Sequence, residues 1–111
     1  MTKVIKGHPD YYVSDEGYII SYKGIKPRTL IPDDSNGYLR VTIDGRKRYV
    51  ADIVAEHFFT KPMNPYYKLF YIDGDIANCG VGNLVWLSPS DIQRFSAYTV
   101  EYRRQMLGAR V

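Results

Sequence analysis

The 111-residue sequence has few of the side chains that build metal or disulfide sites: one cysteine, Cys79, and two histidines, His8 and His57. A single cysteine excludes an intramolecular disulfide and any zinc site made of several cysteines. No apolar run is long enough to span a membrane, and the first residues lack the apolar segment of a secretory signal. We therefore expect a cytoplasmic protein without a membrane partner.

The sequence also lacks a strong charge of either sign, because its net charge is only +3. Such a charge permits nucleic-acid binding but does not require it. The hydrophobic fraction of 45% is ordinary for one globular domain. The aromatic residues are unusual, with 11 tyrosines against four phenylalanines and one tryptophan. Tyrosine combines an apolar ring with a hydroxyl group, so this excess indicates partly exposed aromatic surface suited to binding.

Short strands separated by turns are predicted for the first half of the chain. Residues 11–13 and 18–22 are rich in β-formers and flank a turn at 15–17. Residues 38–43 alternate between apolar and polar side chains, and Asp44-Gly45 is a hairpin turn signal before the returning strand 46–50. A β-hairpin over 38–50 is therefore predicted.

The second half changes period at residue 51. Apolar residues at helical spacing predict a helix over 51–59, which the prolines that follow end. Extended segments are predicted at 66–72 and 84–87. Ser88 as N-cap and Pro89 at the first position predict a helix start, and the helix is expected to continue through Leu107.

Three stretches resemble one known family. Residues 5–21 (IKGHPDYYVSDEGYIIS) resemble the N-terminal modular motif, linked to DNA binding, of phage and intron homing endonucleases. Residues 37–58 resemble the strand-to-helix segment of that family. Residues 71–89 resemble the ββα-metal core of HNH nucleases. The three blocks keep the family's order and spacing over roughly residues 5–95.

The resemblance implies an α+β fold. A small N-terminal β-hairpin unit (1–45) would pack on a degenerate HNH-like core (46–95), followed by a C-terminal helix extension (96–111). In the family, a histidine activates water and neighbouring side chains hold a divalent metal, which stabilises the charge that develops on the phosphodiester. The implied cofactor of an active member would be Mg²⁺ or Mn²⁺.

This sequence departs from the family at the positions that carry the chemistry. Tyr71 stands at the place of the catalytic histidine and Phe70 at the place of a metal ligand, while Ile92 replaces the helical asparagine. Ala51 and Asp52 replace a further histidine and arginine. We therefore expect no catalytic residue, no metal ligand and no cofactor. The framework that remains is expected to be structural: Asp73, Gly74, Asp75, Asn78, Asn83 and Trp86, the last filling the core.

Two observations argue against a rescued site. Tyrosine has a pKa near 10, which makes Tyr71 a poor base at neutral pH. Asp73 and Asp75 could bind a hard cation, but two carboxylates in one turn more often accept hydrogen bonds from nearby amides, and a metal site needs more converging oxygens.

Binding residues are predicted in two sets. The basic residues Arg40, Arg46, Lys47 and Arg48 of the hairpin would contact phosphates or simply face water. Tyr66, Tyr67 and Tyr71 would stack on a base, form a protein interface or pack at the edge of the core. The basic residues near the C-terminus are expected to face water: Arg94, Arg103, Arg104 and Arg110.

The predicted function is that of a catalytically inactive HNH-like protein, phage-encoded, which binds DNA or a host protein in the host cytoplasm as an inhibitor or modulator. One alternative is an active HNH endonuclease or nickase with a rearranged site. Another is a phage structural or assembly protein.

Overall fold

The computed structural model describes residues 1–109, so Arg110 and the end of the predicted 96–111 extension lie outside the described residues. Over this range no helix is long and apolar enough to cross a membrane. The elements in chain order are β1 (Thr2–Ile5), β2 (His8–Ser14), β3 (Ile19–Ser21), β4 (Arg28–Thr29), β5 (Asp33–Ser35), β6 (Tyr38–Ile43), β7 (Arg46–Tyr49), α1 (Val50–Phe58), β8 (Lys68–Tyr71), β9 (Leu84–Leu87), α2 (Pro89–Ser96) and α3 (Val100–Ala109).

The N-terminal unit is an antiparallel sheet in the order β1-β2-β3-β4. Alternation along β2 buries Tyr11 and Val13, and Ile19 of β3 joins them in the core. The predicted strand 18–22 is present but shorter. Strands β1 and β4 were not predicted, because their exposed residues give little apolar signal and they form only by pairing with a neighbour.

A close backbone contact joins this unit to the loop before β9. Gly17 has φ +94°, and a Cβ there would lie 2.5 Å from the carbonyl carbon of Cys79. The N–H of Val81 donates a 2.9 Å hydrogen bond to the carbonyl of Asp15. Only glycine satisfies both the left-handed backbone and this approach.

The second sheet confirms the predicted hairpin. Strands β6 and β7 pair in the register Arg40↔Tyr49 and Thr42↔Lys47, with β5 added on the other edge of β6. Asp44 (φ 49°) and Gly45 (φ 83°) form the connecting turn, as expected for a two-residue hairpin loop with two left-handed residues. Val41 and Ile43 point into the core, so the alternate residues of β6 lie on the outer face.

Helix α1 and the two-stranded ribbon β8–β9 complete the core. Val50, Ile53 and Val54 of α1 are fully buried among residues of the N-terminal sheet and the hairpin. The predicted helix 51–59 is thus confirmed with a shift of one residue. The architecture is mixed α+β, as predicted. Buried residues from Ile5 to Leu84 share one core cluster. The division of the chain into units at 1–45, 46–95 and 96–111 stays a prediction.

The predicted single C-terminal helix is wrong, because the structure has two. The start of α2 is as predicted: the Ser88 hydroxyl accepts a 3.2 Å hydrogen bond from the N–H of Asp91. The helix ends at Ser96, and Thr99 caps α3 by accepting a 3.2 Å hydrogen bond from the N–H of Tyr102. The capping threonine starts a new helix and so interrupts the predicted one, although the apolar spacing continues.

Candidate functional site

The ribbon β8–β9 carries Phe70 and Tyr71, which the resemblance in the sequence aligns with the family's catalytic positions, and it places them on two different faces. Phe70 lies opposite Val85 in the register, and Tyr71 lies opposite Leu84. Successive side chains of a strand point to opposite faces. Phe70 therefore faces α2, whereas Tyr71 faces α1.

The α2 side of the ribbon is filled by two aromatic rings and one guanidinium group, which we call the closed face (Phe70, Phe95 and Arg103). The Phe70 and Phe95 rings lie 6.2 Å apart in an edge-to-face contact, and Phe95 is fully buried. The Arg103 guanidinium lies 5.3 Å from the centre of the Phe70 ring. It donates hydrogen bonds to the carbonyls of Phe95 (2.6 Å) and Ile72 (2.8 Å).

The expectation that Arg103 faces water is therefore wrong. The break between α2 and α3 turns Arg103 back onto the ribbon, where its donors satisfy carbonyls at two chain segments. Arg104 is exposed but also donates a 3.3 Å hydrogen bond, to the carbonyl of Gly82. The signal that could have found this arrangement was Thr99, a helix-capping residue in the middle of the predicted helix.

The residues on the closed face do not fit a divalent metal. Mg²⁺ and Mn²⁺ bind through oxygen and imidazole donors, whereas Phe70 and Ile92 offer only hydrocarbon side chains. Among the residues that the structure describes, no group of three His, Cys, Asp or Glu side chains converges as ligands.

The α1 side of the ribbon instead bounds an open cavity of about 380 Å³, which we call the aromatic pocket. The Tyr38 ring lies 6.3 Å from the Tyr49 ring, nearly perpendicular to it, and 6.1 Å from the Tyr71 ring. The pocket thus brings together three positions that differ from the family, Ala51, Asp52 and Tyr71. Its lining residues are Tyr38, Tyr49, Ala51, Asp52, Lys68, Leu69, Tyr71 and Trp86.

Two polar groups of the pocket, Tyr71 and Asp52, have pKa values shifted toward their neutral forms. Burial raises the pKa of the Tyr71 hydroxyl above its ordinary value, so Tyr71 stays protonated and does not act as a base at neutral pH. Partial desolvation raises the pKa of the Asp52 carboxyl, although its side chain keeps contact with solvent. A partly desolvated carboxylate is stabilised when a hydrogen-bond donor replaces the water that it has lost.

Trp86 differs from its predicted role. It was expected to fill the core, but it is only half-buried and forms a wall of the aromatic pocket. Its indole N–H is buried and has no hydrogen-bond acceptor within the described part of the chain. An unpaired buried donor of this kind is uncommon in folded proteins.

The loop after β8 holds the remaining framework residues together. Asn83 exchanges hydrogen bonds with Asp73, donating from its side chain over 2.8 Å and accepting from the Asp73 N–H over 2.9 Å. Asn78 and the N–H of Asp75 also donate to the Asp73 carboxylate. Desolvation opposes ionisation of Asp73, but these donors outweigh it and lower its pKa. Gly74 forms the turn at φ 77°.

The basic hairpin residues lie on two different faces. Arg40 and Lys47 lie on the outer face of the sheet, where both donate to the Asp33 carboxylate. Hydrogen bonding from Lys47 is the main cause of the lowered pKa of Asp33. Arg46 and Arg48 alternate to the side that carries Val41 and Ile43, and Arg48 pairs with Glu56 over 2.7 Å.

A second cavity, of about 460 Å³, lies beside Arg40 between β4 and β6. Arg28, Thr29 and Thr42 line it together with Arg40. This polar groove extends the outer face toward the N-terminal unit.

The other predicted candidates lie away from the pocket. Tyr66 is 71% exposed, and Tyr67 lines a separate cavity on another side of Trp86. His57 accepts a hydrogen bond from the N–H of Lys6 and bonds the carbonyl of Ile53, while His8 contacts the Asp44 carboxylate. Neither histidine lines the pocket. The structure adds Tyr38 and Tyr49, which the sequence had not singled out as candidates.

Comparisons with known proteins agree with this geometry. The NUMOD4 motif matches residues 3–44, which cover β1 to the hairpin turn. A solved structure describing DNA binding and cleavage by the HNH homing endonuclease I-HmuI is similar, with 26% identity and a TM-score of 0.67. The match covers 96% of this chain and 65% of that chain. No curated protein matches the sequence.

The NUMOD4 match is confined to the N-terminal sheet and part of the hairpin, whereas the structural match extends over nearly the whole chain. The chain is therefore related to the HNH homing endonuclease family.

Proposed function

We propose that this chain is a catalytically inactive HNH-endonuclease-like protein that binds DNA without cutting it. The observation that carries the proposal is the closed face: Phe70, which the resemblance aligns with a metal ligand of the family, packs against the buried ring of Phe95. Tyr71, at the position of the general base, is held neutral by burial. Loss of a general base alone lowers a rate by about 10²–10⁴-fold, and loss of the metal ligands removes the charge stabilisation as well.

Two features support DNA as the partner. The similar solved structure is of a nuclease that binds and cleaves DNA, and the NUMOD4 motif covers the N-terminal unit. The outer face of the hairpin carries Arg40 and Lys47, and Arg28 lies across the adjoining groove. Side chains of this type contact phosphates and hold a protein on DNA without reading its sequence.

The finer parts of the proposal are a phage origin, a place in the cytoplasm of the host cell, and modulation or inhibition of a host process by occupying DNA. A host protein is the alternative partner, which the exposed side chains of Met63 and Tyr66 favour. Large exposed apolar side chains near one another are typical of protein contacts.

The test combines DNA binding with plasmid cleavage. Wild type and Tyr71→His are incubated with supercoiled plasmid and Mg²⁺ or Mn²⁺, and duplex affinity is measured over a range of salt concentrations. We expect binding that weakens steeply with salt and no nicking by either protein, because Phe70 and Ile92 still offer no metal ligand in the variant. Nicking by the wild type that EDTA abolishes would establish the active-nuclease alternative. Absence of any DNA affinity would favour a protein partner or a structural role.

A further inference from the structure

We propose that the aromatic pocket receives one unstacked nucleobase of the bound DNA. This inference rests on the proposed function and deepens it, because it gives the open side of the ribbon a ligand. It concerns a cavity that neither phosphate binding nor the loss of catalysis explains. Its lining residues come from the hairpin, α1 and the ribbon.

The walls of the pocket suit a flat aromatic ligand. Tyr38, Tyr49 and Tyr71 surround it with rings at marked angles to one another, so at least one ring face is available to a base. Tyr38 and Tyr49 are each 43% exposed, although aromatic rings gain free energy when they are covered. The volume of about 380 Å³ corresponds to about a dozen water molecules and accommodates a single base ring system.

Polar groups without partners line the same space. The hydroxyls of Tyr38, Tyr49 and Tyr71 make no hydrogen bond to the described residues, and the Asp52 carboxylate has neither a hydrogen bond nor an ion pair there. A carboxylate accepts hydrogen bonds from adjacent ring and amino N–H groups. Of the four bases, guanine presents such a pair on its Watson–Crick edge, so the pocket is expected to prefer guanine.

The pocket is continuous with the basic outer face of the hairpin. Arg40 lies directly opposite Tyr49 in the register and next to Tyr38 on the same face of β6, where side chains two residues apart are separated by about 7 Å. Lys68 lies at the pocket itself. A nucleotide whose base enters the pocket thus has cations within reach of its phosphates, which favours a nucleic acid over an uncharged aromatic side chain as the occupant.

The position of Tyr71 gives a further argument. Its ring lines the cavity together with Tyr38 and Tyr49 and lies 6.1 Å from the Tyr38 ring, so a base in the cavity would contact more than one aromatic ring. Base stacking on aromatic side chains is tolerant of sequence and strong enough to hold a base that has left the helical stack.

Trp86 makes the proposal directly measurable, because it is the only tryptophan and forms a wall of the pocket. Its fluorescence is followed while the full chain is titrated with a single-stranded 12-mer that contains one guanine, and with the same strand abasic at that position. We expect saturable quenching by the first strand and about tenfold weaker binding of the abasic strand. Tyr49→Ala should abolish the difference, Tyr49→Phe should keep it, and Tyr102→Ala, on α3 and outside the pocket, should leave it unchanged.

The outcomes separate this inference from the proposed function. Absence of binding to both the strand and duplex DNA overturns the proposed function, and this inference with it. Binding of both strands with equal affinity and unchanged Trp86 fluorescence overturns only the nucleobase pocket. Quenching by arginine ethyl ester but not by the 12-mer would assign the pocket to a cationic side chain of a protein and would also overturn the inference. Circular dichroism of Tyr49→Ala and Tyr49→Phe checks that both variants are folded.

Discussion

The two sides of the β8–β9 ribbon are packed in different ways. On the α2 side, Phe70 meets Phe95, and Arg103 covers the pair and binds two carbonyls. On the α1 side, Tyr71 borders an open cavity of about 380 Å³ that is also lined by the partly exposed rings of Tyr38 and Tyr49. One side has become part of the core, whereas the other has kept an opening.

This difference separates stability from binding. Protein interiors are densely packed and contain few voids larger than a water molecule. The closed face follows this pattern. The aromatic pocket does not. Among the described residues, its Asp52 carboxylate makes no hydrogen bond or ion pair, and the buried indole N–H of Trp86 beside it has no acceptor. We therefore expect substitutions on the closed face to change folding and substitutions in the pocket to change binding.

The largest expected effect is on the closed face. Phe95→Ala removes a fully buried ring and should lower the free energy of unfolding by about 3–5 kcal/mol. Tyr71→Ala, on the open side, should cost only about 1 kcal/mol, because its ring is half-buried and already borders a cavity. Urea unfolding of both variants measures the contrast, and equal losses would contradict the distinction between the two sides.

Arg103 should contribute more to the stability of the fold than its position near the C-terminus suggests. Arg103→Ala removes a charged donor from the carbonyls of Phe95 and Ile72 and should cost about 1–3 kcal/mol. Arg94→Ala is the matched control, since Arg94 is exposed on α2, and it should change stability by less than about 0.5 kcal/mol. Thermal unfolding, monitored by circular dichroism, gives the stability change of both variants. An Arg103→Ala variant as stable as the wild type would mean that α3 does not hold the closed face together.

The two faces of the hairpin should differ in DNA binding. Arg40→Ala/Lys47→Ala removes two outer-face cations and should lower the salt dependence of duplex affinity by about two phosphate contacts. Arg46→Ala/Arg48→Ala changes the opposite face and should have the smaller effect. Fluorescence anisotropy at several salt concentrations compares the pairs. A larger loss in the second pair would place DNA on the other side of the sheet, away from the aromatic pocket.

The smallest expected effect concerns the pH dependence of stability. Because desolvation raises the folded-state pKa of Asp52, the folded state favours its protonated form. Its contribution is therefore most favourable below its unfolded-state pKa of about 3.9 and is lost as the pH rises through the folded-state pKa. Asp52→Asn should remove this loss, so the stability difference between variant and wild type should grow in favour of the variant from pH 3 to pH 7. Urea unfolding at several pH values measures it, and a difference of the opposite sign would contradict the raised pKa.

Much of the fold was predictable because local signals dominate there. Asp44-Gly45 specifies a hairpin turn, Ser88-Pro89 specifies a helix start, and the apolar spacing in α1 matches its buried face. The short strands β1, β4 and β5 were missed, since their pairing partners rather than their own residues determine them. The α2–α3 break was missed because one capping residue, Thr99, outweighs continuous apolar spacing.

The candidate site was predictable only in part. The replacements at Phe70, Tyr71 and Ile92 are readable from the motif, but a cavity depends on residues distant in the chain. Tyr49 lies opposite Arg40 and diagonally across from Tyr38 once the hairpin register is known, so the turn signal together with strand alternation could have indicated this cluster. Thr99 could have indicated the break that lets Arg103 return to the ribbon, whereas nothing in the sequence indicated that the Trp86 N–H has no acceptor among the described residues.

The most direct test of the account is whether the ribbon holds a divalent metal. Mn²⁺ is added to isotope-labelled wild type, and paramagnetic broadening of the amide signals is mapped by NMR. The account predicts no selective broadening around Phe70, Tyr71 and Ile92 at Mn²⁺ concentrations that broaden those positions in Phe70→Asp/Tyr71→His/Ile92→Asn. Selective broadening of these amides in the wild type would show a metal centre at the ribbon and contradict the account.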